Sequence, residues 1–248
     1  MIVIIPIAGG DDAFRDRGFP YSKPLIEIHG KPLVEHVWAC LKPLNAEKYV
    51  FVVRQEDVRL AHLDEVLHLM EPKAAVVPVA GPTAGAACTA MLAIEHIEAD
   101  RQLVIANGDQ LLTCDLRAAL DDFRSRDLDA GTLVFDSVHP RWSFVRVGED
   151  GLVTEAAEKR PISRHATAGF YYFKRGADFV KAAGDMIRKE AHVNGNFYVC
   201  PTFNEMILNH ARVGVFPIAR DSYISLGTPQ NVEEYEQTLM TSARRGNP

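Results

Sequence analysis

Residues 8–32 read "AGGDDAFRDRGFPYSKPLIEIHGKP". They follow the apolar run "IVIIPI" (residues 2–7) and lead into "LVEHVWACLKPL" (33–44). A buried strand, a loop opening on a glycine pair, and a helix is the order that decides the fold. Gly9 and Gly10, directly after the strand, let backbone N–H groups approach a ligand without Cβ obstruction. Lys23 can set a point charge on a phosphate. Taken alone, the segment reads equally well as a Gly-Gly turn on a charged surface loop. It is neither a Walker A loop nor a dinucleotide fingerprint, because "AGGDDA" fits neither glycine spacing.

Working outward, "YVFVVR", "AAVVPV" and "QLVIAN" repeat the short Val/Ile-rich pattern of buried strands. Helical patterns lie between them at 32–44, 56–70 and 84–97. Strands alternating with helices predict βαβ units, a parallel sheet, and a ligand site at the strands' carboxyl ends. The second half is richer in strands: "DAGTLVFDSV", "WSFVRVGEDGLVTEAAEK" with a tight turn at "EDG", "HATAGFYYFK", "GVFPIA" and "SYISLG". Helices are expected at 177–188, 201–210 and 229–239. With no repeat, low-complexity tract or linker, residues 1–240 read as one mixed α/β domain and 241–248 as a flexible tail.

A net charge of -6 over 248 residues offers no basic field to nucleic acid. No apolar run approaches a membrane span, and the start of the chain lacks the marks of a signal peptide. The four cysteines show no C-x-x-C pairing, as expected for reduced thiols in a cytoplasmic protein.

Three further stretches bear on chemistry. "ANGDQ" sets Asp109 at a strand's carboxyl end, where a carboxylate can ligate Mg²⁺ beside substrate phosphates; Asn-Gly-Asp is also ordinary turn chemistry. "GPTAGAACTAML" opens a helix with small residues that would let a flat base lie on the backbone, or that pack helix on sheet. "EKRPIS" ends a strand with Glu158 and Lys159, an acceptor contact or a solvated charge pair.

Together these features resemble the sugar-phosphate nucleotidyltransferases, the nucleoside-diphosphate-sugar pyrophosphorylases, and among them the short members linked with capsule and surface-glycan synthesis. That family's signature looks like A-G-x-G-x-R-F, a spacer, G-Y-x-x-P-K-P-L-I, then G-K-P-M. "AGGDDAF", "GFPYSKPLI" and "GKPL" follow it without a gap, and "GPTAGAACT", "NGDQ", "WSFVRV", "EKRPIS", "AGFYYF", "NGNFYVCPTFNEMI" and "LGTPQNVEEY" extend the likeness almost end to end. The resemblance implies a mixed, mostly parallel sheet flanked by helices, Rossmann-like and related to many glycosyltransferases. It implies Mg²⁺-dependent transfer of NMP from an NTP to a sugar phosphate or similar phosphorylated acceptor. Lys23, Asp109, Arg15 and Lys159 would carry the catalysis, with Asp109 on the metal. Ala8, Gly9, Gly10, Thr83, Gly85, Ala86 and Gly108 would hold the nucleotide. Gln110, Glu158, Gly169, Asn194 and Tyr198 would face the acceptor, Gly169 by leaving room for the sugar. A homodimer is compatible with the family's habits.

The chain departs from the signature on the chemistry itself. The second loop glycine becomes Asp11, the signature Arg becomes Ala13, Pro before the Lys becomes Ser22, a carboxylate is lost at Asn196, and Ser225 stands where many relatives carry a second metal-binding Asp. Losing one charged stabiliser of a transition state costs on the order of 3 kcal/mol, and Asp11 adds negative charge to the loop. Two readings follow: Arg15 or Arg17 swings in as substitute, or the chain binds its ligand without turnover. A glycosyltransferase is the third class, but the sole D-x-D, "DLD" at 127–129, precedes a strand and reads as surface.

Overall fold

The computed structural model describes residues 1–245. The opening run forms β1 (Ile2–Pro6), and its loop passes through a short helix, α1 (Asp12–Asp16), and a small hairpin, β2 (Glu27–Ile28) with β3 (Lys31–Pro32), into α2 (Leu33–Leu41). β4 (Lys48–Arg54), α3 (Gln55–Ala61), α4 (Leu63–Met70) and β5 (Ala75–Val79) come next. They are followed by α5 (Ala86–Met91), β6 (Leu103–Ala106), β7 (Gln110–Leu112) and α6 (Leu116–Ser125). The second half supplies β8 (Ala130–Asp136), β9 (Ser143–Val147), β10 (Val153–Glu158), β11 (His165–Phe173), α7 (Gly176–Arg188), α8 (Thr202–Leu208), β12 (Val213–Pro217), β13 (Tyr223–Ser225) and α9 (Pro229–Arg245).

β6, β1, β4 and β5 pair in parallel, as their continuous apolar runs require. β11 runs against β6, β8 and β9, while β12 pairs in parallel with β8. Seven strands of the nine-stranded sheet thus point one way, opposed by β10 and β11. Both faces are covered: Ile2 and Ile4 pack into one apolar cluster with Phe179 and Phe203, Val3 and Ile5 into the other with Val37 and Phe123. Strand alternation accounts for that partition. The result is the mixed, mostly parallel sheet flanked by helices that the sequence led us to expect.

One strand organises the rest. β11 pairs along one edge with β6 at Phe170–Phe173 and, further toward its start, with β9 at Ala166. Around Ala168 and Gly169 that edge has no strand beside it. β6 ends at this opening, so Asn107, Gly108 and Asp109 emerge into it.

Several boundaries differ from expectation. The helix expected over 56–70 is broken at His62, which adopts a left-handed conformation (φ 51°). The one expected over 84–97 is helical only from Ala86 to Met91, with a separate turn at Ile94–His96. The terminal helix continues beyond 239 to Arg245; of the expected tail, residues 246–248 lie outside the described residues. Among the described residues no helix is long and apolar enough to cross a membrane. All four cysteines are unpaired, and Cys200 is fully buried.

Candidate active site

The gap in the sheet is the floor of a cavity of about 450 Å³. One wall is the loop after β1, with Ala8, Gly9 and Gly10, facing the start of α5, with Thr83, Gly85 and Ala86. The opposite wall comes from β9, β10 and β11 and carries Trp142, Ser143, Glu158, Lys159, Gly169 and Tyr171, with Asn196 and Tyr198 above them. Asn107, Gly108, Asp109 and Lys23 lie between the walls. The side chains facing in include three cations, Lys23, Arg141 and Lys159, against two carboxylates, Asp109 and Glu158. In a protein of net charge -6, the lining thus carries one more cation than carboxylate.

Lys23 stands at the start of a tight turn (Lys23–Leu25) and donates from Nζ to Asp109 Oδ2 at 2.9 Å. The Lys23 side chain is 14% exposed, that of Asp109 35%, so the pair is shielded yet open to the cavity. Ser225 lies on the strand paired with β7, and Leu226 N donates to Asp109 O at 2.8 Å. A Cβ built on Gly227 would lie 3.4 Å from Asp109 Oδ2 and 3.6 Å from Ser225 Oγ. Among the described residues no group of three or more His, Cys, Asp and Glu gathers as a metal cage. Of the two carboxylates lining the cavity, Asp109 would be the one to hold Mg²⁺, an ion that keeps several waters and takes one or two carboxylates beside substrate phosphates.

Gly85 is forced by its surroundings. Its φ is +99°, and a Cβ there would sit 2.5 Å from Phe197 O and 2.7 Å from Phe197 N. The same contact zips the two walls together, since Phe197 N donates to Ala84 O and Ala87 N to Phe197 O. One N–H of the first turn of α5 is therefore already engaged. A Cβ at Gly9 would meet open space and one at Gly10 only Asp12 Oδ2, at 4.0 Å, so the protein's own packing does not require glycine at either. Thr83 and Thr89 join hydroxyls at 2.6 Å beside them, and Thr89 also donates to Gly85 O.

On the opposite wall Glu158 takes a hydrogen bond from Ser143 Oγ. Burial pushes its carboxyl above the ordinary range, opposed by that bond and by Lys159. Lys159, left-handed at φ 52°, donates to Tyr198 OH at 2.9 Å, and this bond holds its ammonium above its usual value. Arg141 stacks 4.3 Å over Trp142, whose ring meets Tyr223 edge-on at 5.2 Å. Burial, with the charge of Asp109, pushes the Tyr223 phenol far up.

Three expected site residues, Gln110, Asn194 and Arg15, lie outside the cavity. Gln110 is buried, donates its amide to Gly169 O at 2.9 Å and does not line the cavity. Gly169 lines the cavity and also makes room for the protein: its Cβ would fall 2.4 Å from both Asn107 Nδ2 and Gln110 Oε1, at φ +57°. Asn194 sits in a left-handed turn outside the cavity, and Asn196 takes the lining place. Arg15 is 53% exposed and pairs with Asp11 and Glu56, while Arg17 pairs with Glu233; neither lines the cavity. Gly108 lines it but also packs, since its Cβ would overlap the Ile7 side chain.

Sequence reading passed over Arg141, Trp142, Ser143 and Thr89. All four fall in or beside stretches already singled out, "WSFVRV" and "GPTAGAACT", but nothing in the residue types said which way they faced. The "DLD" run is remote, with Asp127 on Lys174 and Asp129 on the Arg212 backbone.

Comparison with known proteins adds an independent line. The UTP–glucose-1-phosphate uridylyltransferase AglF of Haloferax volcanii is 26% identical over 187 residues, 70% of this chain and 72% of that protein. A solved nucleoside-diphosphate-sugar pyrophosphorylase of Vibrio cholerae RC9 superposes with a TM-score of 0.81 at 25% identity, covering 96% of this chain and all of that one. A structure described as a glucose-1-phosphate thymidylyltransferase of Bacillus anthracis, solved with sucrose, shares the fold at TM-score 0.75 and 17% identity, over 96% of this chain and 95% of that one. The model of the MobA-like NTP transferase domain matches residues 7–165, and the chain belongs to that family of nucleotidyltransferases.

Proposed function

We propose that the cavity transfers NMP from an NTP to a phosphorylated small-molecule acceptor of the sugar-phosphate type. An acceptor phosphate oxygen attacks the α-phosphorus, the bond from that phosphorus to the bridging oxygen breaks, and pyrophosphate leaves. The observation that carries this reading is the Lys23–Asp109 pair, 2.9 Å apart between a glycine-lined wall and a wall of hydroxyls, aromatics and cations. Such chemistry needs positioning and charge stabilisation more than covalent help.

In this reading Gly9 and Gly10 offer backbone N–H groups to the phosphates. Lys23 leaves Asp109 to neutralise charge on the departing pyrophosphate. Asp109 would hold Mg²⁺, which supplies charge neutralisation across the phosphate oxygens when bound. Lys159 and Arg141 would meet the acceptor phosphate, and Glu158 would accept from a hydroxyl. The relative AglF makes UTP and glucose 1-phosphate the first pair to try.

The test has two stages. Thermal shifts are read with ATP, CTP, GTP, UTP and dTTP, each with and without Mg²⁺. A ligand at 100 times its Kd adds about 2.7 kcal/mol to the folded state. Pyrophosphate release is then assayed with sugar 1-phosphates. Asp109→Asn should lower Mg²⁺-dependent turnover about a hundredfold or more; undiminished turnover removes Asp109 from the metal site. No shift with any nucleotide overturns the reading.

A further inference from the structure

Resting on the nucleotidyl-transfer reading, we infer that Arg54 is a positioning residue for the phosphate-binding loop: its guanidinium grips Asp11 and thereby fixes the path of Gly9 and Gly10. Asp11 caps the start of α1, where an Asp side chain usually accepts from the helix's first N–H groups. Here it accepts none of them. Both its oxygens take hydrogen bonds from Arg54, Nη1 and Nη2 each at 2.7 Å, and Arg15 approaches at 3.1 Å. The other edge of the same guanidinium, Nε and Nη2, donates to Asp57 in the first turn of α3 at 3.0 and 2.7 Å.

The position of this fork matters more than its strength. β1 and β4 are parallel neighbours, paired to Pro6 and Val52, and Ile7 N still donates to Val52 O. Arg54 ends β4, so the fork closes just past the last backbone bond joining the two strands. Ala8, Gly9 and Gly10 are the stretch between those two anchors. Asp11 and Asp57 are 3% and 4% exposed and Arg54 15%, so releasing Asp11 would strand a buried charge. A segment held in its binding path before the ligand arrives loses less freedom on binding. The arrangement also changes what Asp11 means: its carboxylate is committed to Arg54 rather than turned toward the phosphates, so the glycine lost from the signature has become a tether.

The experiment compares wild type with Asp11→Ala, Arg54→Lys and the double variant. It reads Kd for the five NTPs with Mg²⁺, KM for NTP and for acceptor, and the melting midpoint. Each single change should weaken NTP binding about tenfold or more and leave the acceptor KM within about twofold. The double variant should bind no worse than the weaker single one, because both changes break one link. Lowered midpoints with unchanged NTP Kd mean a purely structural network and overturn the proposal, as do effects that add. If Arg54→Lys folds poorly, Asp11→Ala carries the test, since Arg54 keeps Asp57. Wild type that binds no NTP overturns the transferase reading and the tether with it; wild type that binds while Asp11→Ala binds as tightly overturns the tether alone.

Discussion

Replacing Gly85 by Ala perturbs one methyl group at the junction of the two cavity walls. The backbone there has φ +99° and ψ 172°, a region open almost only to glycine, which costs another residue about 1–3 kcal/mol. The new Cβ would also lie 2.5 and 2.7 Å from the Phe197 oxygen and nitrogen, which are backbone and cannot swing aside. Phe197 must then move, and its bonds to Ala84 and Ala87 go with it. A total near 3 kcal/mol is a lower figure, and for a chain of this length each kcal/mol lowers the melting midpoint by about 2–4 °C. The expected drop is therefore about 6–12 °C, read by circular dichroism or calorimetry. Gly184→Ala is the control: it lies in α7, its Cβ would meet nothing within 4 Å, and alanine should stabilise the helix by about 0.5–1 kcal/mol. A Gly85→Ala protein melting within about 2 °C of wild type would refute the steric argument.

Two further outcomes follow from the charges around the loop. Arg17→Ala should leave turnover and melting almost unchanged, because an exposed pair such as Arg17–Glu233 contributes about 0–1 kcal/mol. Arg15→Ala should keep turnover within about threefold; a collapse in either would mean that the loop rearranges to bring an arginine to the phosphates. Burial pushes the Asp11 carboxyl up, but the hydrogen bonds and charge of Arg54, aided by Arg15, bring it below its ordinary 3.8. Between that ordinary value and the lowered one, the unfolded chain binds a proton that the folded chain refuses, so stability drains as pH falls and is complete above the window. Melting midpoints from about pH 6 to about pH 3 should fall less steeply for Asp11→Asn than for wild type; equal slopes would contradict this.

Much of the fold was legible because its strands are buried on both faces. "IVIIPI" and "YVFVVR" have no polar face to confuse with a helix, and each lies where expected. Helix boundaries were less legible. His62 breaks a continuous helical pattern by entering the left-handed region, a choice its side chain permits but does not announce. The site divides in the same way. Lys23 and Asp109 are 86 residues apart and their meeting follows from the loops of two adjacent strands, β1 and β6. Gln110 was misread because a sequence motif records that residues belong together, not which faces the cavity and which supports the one that does. Asp11 was misread most instructively: its partner Arg54 stands on another strand, at the end of "YVFVVR", where residue type alone reads as the close of a strand.

The break along β11 has an evolutionary consequence. The walls on either side of it come from different runs of the chain, the first from residues before Asp109 and the second largely from the β9–β10 hairpin and its neighbours. Beyond the backbone bonds at Phe197, they meet chiefly through β11. Substitutions in the hairpin can thus reshape one wall of the cavity while the strands that carry the glycine-lined loop keep their register. Under the proposed transfer, drift in a few hairpin residues would change which acceptor a lineage uses while the glycine-lined loop that would hold the nucleotide stays as it is.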